Sequence, residues 1–267
     1  MTVQSYRVYD LGRPLEATTP VAPGHPNLRL ALLRRHGDVV RTDGSTSANE
    51  LISTSGHTGT HIDALAHFAK DGRIHGGHDA GEASKGGRFK VHGADSIEPI
   101  VTRGVLLDLA AAEGTAALEP GRPITAADIE KTCRHHGVEV GAGDAVLFRT
   151  GWPVGRYSDE PAYVGWPTGV PGPDETAARW LAERRVHVAG SDTIAFEWLA
   201  PGAGHGRLPV HVILLVENGI HIIEVLDLEE LAADSVHEFL FVCSPLKLVG
   251  ATGSPVRPLA LIREGLK

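Results

Sequence analysis

Twelve residues constrain this chain more than any others: His57-Thr-Gly-Thr-His61-Ile-Asp63-Ala-Leu-Ala-His67-Phe68. Imidazole nitrogen and carboxylate oxygen are the donor set of zinc, manganese and iron sites. Such a set points to a metal site and to hydrolytic or Lewis-acid chemistry. The spacing limits the geometry. His57 with His61, and Asp63 with His67, stand four apart as on a helix, but the two pairs would face different sides. In an extended chain all four share parity and project from one side. A straight strand, at about 3.3 Å per residue, would hold His57 and His67 about 33 Å apart. An ion with bonds of about 2 Å cannot span that. The segment must therefore be extended but bent, and Gly59 is the residue that allows the bend. His57, His61 and Asp63 are then expected around the cation, with His67 just behind them, facing the water it holds.

Chance clustering is the competing reading, since 15 of 267 residues are histidine. It is weakened by the apolar neighbours Ile62, Leu65, Ala66 and Phe68. Buried imidazoles and a buried carboxylate need partners.

Elsewhere, apolar runs and turn residues predict strands over Tyr6 to Leu11, Ile100 to Leu109, Ala145 to Arg149, Val186 to Ala189, Ile220 to Leu226 and Phe239 to Cys243, and either a strand or one or two helical turns over Leu28 to Arg35. Helices are expected over Thr125 to His136, Asp174 to Arg184, Val210 to Glu217 and Leu228 to Ala233. Thr125 and Asp174 are natural N-caps, and Gly137 a natural stop. In the strand from Ile220, alternation puts Ile220, Ile222, Glu224 and Leu226 on one face. A carboxylate among three aliphatic side chains needs a salt bridge or a metal. His211, at the start of its helix, is open to a structural or a ligand role. Two loops are candidate lids: the proline-bearing Gly12 to Pro26, and the aromatic Gly151 to Pro173, which suits either a flat substrate or a subunit interface. His75 and His78, set among glycines, are not expected to be ligands. Asp192, after a strand, suits either a site or a turn cap.

The totals exclude several function classes. A net charge of -8 gives no footprint for a nucleic-acid partner. No stretch approaches the ~20 apolar residues of a membrane span, and the N-terminus lacks a secretory pattern. Cys133 and Cys243 form no CxxC and suit free thiols in a reducing cytoplasm.

The string HTGTHIDALAHF resembles the signature of the cyclase family of metal-dependent hydrolases, which includes kynurenine formamidase, isatin hydrolase and proteins called polyketide cyclases. Val8-Tyr-Asp-Leu-Gly-Arg-Pro-Leu15, Gly104 to Asp108, Phe148 to Gly151, Gly190 to Thr193, His211, Glu224 and Pro245 to Gly250 also look familial. Leu65 departs from the pattern, standing where many relatives carry proline. The resemblance implies a single domain over 1–267 in the α/β class, with a mixed, partly barrel-like central sheet and surrounding helices. The expected order of strands and helices agrees with that class. The resemblance also implies hydrolysis of an amide, lactam or ester carbonyl by a metal-activated water, with His67 as general base. It implies one or two zinc or manganese ions held by His57, His61 and Asp63, with His211 and Glu224 binding a second ion or orienting the first ion's ligands. A small, flat or aromatic substrate and a homodimer or homotetramer follow from it too. The alternative is a metal-dependent polyketide cyclase performing an intramolecular aldol condensation, which the segments Gly190 to Glu197 and Gly219 to Glu224 resemble.

Overall fold

The structure is a computed structural model that describes residues 5–264. Among the described residues thirteen strands are formed: β1 Tyr6–Asp10, β2 Arg29–Arg34, β3 Asn49–Ser53, β4 His61–Asp63, β5 Ile100–Asp108, β6 Pro123–Ile124, β7 Ala145–Arg149, β8 Gly172–Pro173, β9 Val188–Ser191, β10 His221–Glu224, β11 Glu238–Cys243, β12 Gly253–Pro255 and β13 Leu259–Arg263. Nine of them make one sheet in the order β1-β13-β11-β5-β7-β9-β10-β4-β12. The central four, β5, β7, β9 and β10, run parallel. The flanking pairs are antiparallel. The helices are α1 Ala80–Ala83, α2 Leu109–Ala112, α3 Ala126–His136, α4 Glu160–Val164, α5 Glu175–Glu183, α6 Pro209–His211 and α7 Glu229–Ala233.

Parallel neighbours need crossovers, and α3, α5 and α6 lie within those crossovers. Both faces of the central strands are therefore covered, which is why they read as continuous apolar runs. Val105, Leu107, Val146, Phe148, Ala189 and Ile222 pack with Ile129, Leu181 and Ile213 of the helices. The alternate residues Leu106, Leu147, Val188 and Ile223 face a second core. That second core joins Tyr9 from one end of the sheet order to Ile62 near the other. Arg13, just after β1, donates its backbone N–H to Thr60 Oγ1, just before β4, at 2.9 Å. Such contacts between strands so far apart in the order require the sheet to curl, giving the half-barrel form.

The expected helices form with their expected caps. Thr125 and Asp128 make a reciprocal capping box at α3, and Asp174 accepts the amides of Thr176 and Ala177 at α5. The helix expected over Val210 to Glu217 starts as α6 and continues as a π-turn, Val212–Glu217. Five strands were not expected. β12 and β13 lie in or beyond a proline-rich stretch, β3 lies in a polar one, and β6 and β8 are two-residue strands that pair only with each other. β2 and β3 pair only with each other, and Leu30, Leu32, Leu33, Leu51 and Ile52 are exposed on them.

Two expectations need correction. Val225 has a positive φ of 59°, which breaks the alternation after Glu224. Leu226 consequently joins the second core with Ile223 rather than sharing a face with Ile222. The aromatic loop 151–173 serves neither substrate nor subunit through its Trp152 and Tyr163. Both are buried in a small core of their own with Val170, Ile194 and Ala195. Trp152 Nε1 donates to the Tyr163 carbonyl, and the Tyr163 hydroxyl to that of Asp192, each at 2.7 Å. Asp192 is a turn clamp, accepting from Thr150 N, Thr150 Oγ1 and Gly151 N.

Candidate metal centre

β4 is three residues long and lies between β10 and β12. Alternation sends Ile62 into the second core and turns His61 and Asp63 to the opposite face. Glu224 of β10 stands directly across from His61 in the antiparallel register. Glu224 Oε2 is 3.4 Å from His61 Nε2, and Asp63 Oδ1 is 3.6 Å from the same nitrogen. A local alternation in each of two strands thus places three donor side chains together.

The bend expected at Gly59 is present. Its φ is +62°, and a Cβ there would sit 2.2 Å from a methyl of Leu15. The bend brings His57 back over β4, with Nδ1 2.8 Å from Asp63 Oδ1. Nε2 of His57 lies 2.9 Å from Thr252 Oγ1. The next residue, Gly253, must be glycine for this packing, because a Cβ would approach the His57 ring to 2.5 Å. After β4 the chain turns, His67 N–H donating to the Ala64 carbonyl at 2.8 Å. The His67 ring then stacks on His57 with centroids 4.0 Å apart. From the helical side, His211 of α6 directs Nε2 toward Glu224 Oε1 at 3.3 Å and Asp63 Oδ2 at 3.7 Å.

All six residues singled out from sequence and resemblance therefore converge. Their donor atoms form two groups, His57-His61-Asp63 and Asp63-His67-His211, with the atoms of each group within 4.8 Å of one another. Asp63 belongs to both. It is 1% exposed, and its Oδ2 has no hydrogen-bond partner. An ionised oxygen buried without a partner is costly, and a divalent cation is the partner this donor set suits. The residues present fit a metal.

The electrostatics follow from burial and pairing. Burial pushes His67 down to about 3, against the pull of Asp63. Burial also lowers His61 and raises Glu224. Burial would raise Asp63, but the neighbouring His67 and His57 hold it well below the usual carboxylate range. For His211, burial is outweighed by hydrogen bonds to Glu197 and Glu224, and its pKa rises to about 10.

Sequence reasoning missed Glu197 as a site residue. Its Oε1 is 2.6 Å from His211 Nδ1, and it is 1% exposed. The signal was available: Ile194-Ala-Phe-Glu197-Trp-Leu199 sets a carboxylate in an apolar run, as with Glu224. Thr252, 195 residues from His57, gave no local signal. A cavity of about 160 Å³ opens beside the cluster, with His25, His67, Phe68, Ile194, His205 and Leu208 in its wall. The Gly12 to Pro26 loop contributes Ala22, Pro23 and His25, so it does border the pocket. His75 and His78 do not line it. His75 Nδ1 instead lies 2.9 Å from the Val216 carbonyl.

The chain belongs to the cyclase family: the Cyclase family model matches residues 9–198. It is similar to isatin hydrolase from Roseibium aggregatum, 32% identical over 150 residues, an alignment that spans 55% of each chain. It is also similar to kynurenine formamidase from Sphingopyxis alaskensis, 25% identical over 97% of this chain and 98% of that one. Among solved structures, that of a novel cyclase superposes with a TM-score of 0.86 at 26% identity, covering 97% of this chain and 89% of the other.

Proposed function

We propose that this chain is a divalent-metal-dependent hydrolase that opens an amide, lactam or ester carbonyl of a small molecule. The observation that carries the reading is Asp63, a buried carboxylate with an unpartnered oxygen at the junction of two histidine groups. His57, His61 and Asp63 would hold one zinc or manganese ion, and His211 and Glu224 would hold a second or steady the first. When bound, the cation supplies positive charge that polarises the carbonyl and acidifies water. The relatives named isatin hydrolase and kynurenine formamidase support the reaction class.

The chain's own residues supply the rest. His67 takes a proton onto a ring nitrogen during attack and returns it to the leaving nitrogen or oxygen, a role that the neighbouring Asp63 carboxylate favours and burial opposes. Among the described residues its ring makes no hydrogen bond that would occupy those nitrogens. Its stacking on His57 fixes the ring plane. Glu197 holds His211 through Nδ1 and leaves Nε2 turned toward Asp63 and Glu224. Ile194, Ala195, Phe68 and Leu208 keep bulk water from the wall of the cavity. A volume of about 160 Å³ suits one or two rings. The apolar side chains of its wall suit a compact, flat substrate.

One domain over 1–267 suits a sheet in which β1 pairs with β13. Free Cys133 and Cys243 suit a cytoplasmic protein. Among the described residues no helix is long and apolar enough to cross a membrane. The hairpin β2–β3 exposes five large aliphatic side chains, with Leu30 58% and Leu33 66% accessible. Two strands alone are marginally stable in water, so the hairpin supports a homodimer or homotetramer.

The test is hydrolysis of isatin, N-formylkynurenine and a simple aryl ester by protein loaded with Zn²⁺ or Mn²⁺. Activity on at least one, abolished by chelation and restored by the ion, is expected. Hydrolysis that survives complete chelation would refute the metal-dependent reading.

A further inference from the structure

The chemistry above makes no use of Thr60, which stands beside His61 in the sequence and is 2% exposed. Its hydroxyl donates to the Val225 carbonyl at 2.6 Å and accepts the Arg13 backbone N–H at 2.9 Å. Val225 is the residue after Glu224. The pairing of β4 with β10 ends at His61 and Glu224, so the next link between the two segments runs through a side chain.

That link holds a strained point. Val225 has a φ of +59°. A β-branched residue rarely adopts such a value, because its Cβ crowds the backbone there. It stays there only when its surroundings over-determine it. Here they do. The Val225 N–H donates to the Thr193 carbonyl at 3.1 Å, and the Leu226 N–H to that of Ser191 at 3.0 Å. The Leu226 carbonyl accepts Arg13 Nε–H at 3.2 Å. The Val225 side chain is buried with Ile194 and Ala195. Of the four hydrogen bonds, only the one to the Val225 carbonyl comes from the segment that carries His57, His61 and Asp63. Glu224, one residue earlier, meets His61 at 3.4 Å with one oxygen and His211 at 3.3 Å with the other. Where its carboxylate stands depends on how β10 ends, and β10 ends at the turn that Thr60 holds.

We infer that Thr60 is a positioning residue: by holding the Val225 carbonyl, it fixes Glu224 against His61 and His211. Thr60→Val would keep the volume and the branched Cβ but remove the hydroxyl. The Val225 carbonyl and the Arg13 amide would both lose a partner, which is unfavourable for buried groups. The turn could then relax toward a φ that valine prefers, drawing Glu224 off the two imidazoles. Thr60→Ser keeps the hydroxyl. The consequence for a bound cation rests on the metal reading proposed above, and the consequence for Glu224 does not.

Two double-mutant cycles test it, each pairing Thr60→Val with Glu224→Gln. In the first, Zn²⁺ affinity of the folded protein is measured by competition with a chromophoric chelator. Thr60→Val should weaken binding about tenfold, and Thr60→Ser by less than about threefold, the scale set by residues that orient a metal ligand. With Glu224→Gln already present, Thr60→Val should cost less than about threefold more, since residues in one network do not act independently. In the second cycle, metal-free protein is unfolded in urea, and the double variant should again lose less than the two single variants together. Should Thr60→Val fail to fold, Thr60→Ala takes its place in both cycles. A threonine that only supports the fold gives independent losses. Losses that add in either cycle, or a Thr60→Ser as weak as Thr60→Val, overturn the proposal. A wild type that binds no Zn²⁺ while the urea cycle keeps its coupling counts against the metal reading and not against Thr60.

Discussion

Glu197 and His211 are joined twice, and Glu197 also holds the residue before His211. Glu197 Oε1 lies 2.6 Å from His211 Nδ1 and accepts the His211 backbone N–H at 3.0 Å, while Oε2 accepts the N–H of Val210 at 3.1 Å. One buried carboxylate therefore caps the first turn of α6 and sets the ring that faces Asp63. Carboxylates that orient a ligand histidine in this way typically account for 10–100-fold in metal affinity or activity. Glu197→Ala should lower turnover by about that factor and leave two buried amides unpartnered, at a cost of about 1–3 kcal/mol each. Parallel assays of activity and urea unfolding check both effects. Unchanged values in both would remove Glu197 from the site.

His61 and His67 should separate under mutation. His61→Ala is expected to lose the ion on dialysis, because His61 faces both Asp63 and Glu224. His67→Ala should keep the ion and lose about 10²–10⁴ in kcat. Elemental analysis per chain, run beside the kinetics, distinguishes them. If His67→Ala also empties the site, His67 is a ligand in the group it forms with Asp63 and His211.

Arg149 ties β7 to two carboxylates. It donates to Asp108 Oδ1 at 3.0 Å and to both oxygens of Glu229, at 3.0 and 2.8 Å. Asp108 is only 2% exposed. Arg149→Met would leave that carboxylate with the Ala111 amide as its remaining partner. Removing one member of a buried pair costs about 3–5 kcal/mol, and the partial exposure of Glu229 points to the lower figure. Arg149→Met with Asp108→Leu should recover part of the loss. A single-variant change below about 1 kcal/mol in urea unfolding would contradict the assignment.

Asp128 predicts a pH dependence with a definite sign. The Arg122 guanidinium, at 2.9 Å from each oxygen, and the Thr125 hydroxyl hold its carboxyl well below the usual range, against the effect of partial burial. A depressed carboxylate contributes stability that is present above the unfolded pKa of about 3.9 and lost as pH falls through the folded value. Asp128→Asn should be less stable than wild type by on the order of 1 kcal/mol above pH ~5, since the pair is partly exposed. The gap should close below pH ~4. A gap that widens toward acid would mean that the carboxylate is not the stabilising form.

The local pattern made much of this legible. The capping boundaries of α3 and α5 depend on neighbours two or three residues apart, so Thr125 and Asp174 announced them. The central strands β5 and β7 showed as apolar runs because both of their faces are covered. β12 left no such trace, for its three residues are a strand only through pairing with β4. The face of Leu226 was misjudged because one positive φ at Val225 undoes an alternation that the sequence displays unbroken.

The sequence by itself determined the donor set. Four residues within one short segment, bent at a glycine, have few other physical uses, and their chemistry is carried by residue type and spacing alone. The tertiary structure decided what surrounds them. Glu197 reaches His211 across 14 positions, Glu224 meets His61 across a strand pair, and Thr252 meets His57 from 195 positions away. Those partners depend on how the sheet is ordered and curled, a property of non-local pairing that no window of the chain contains.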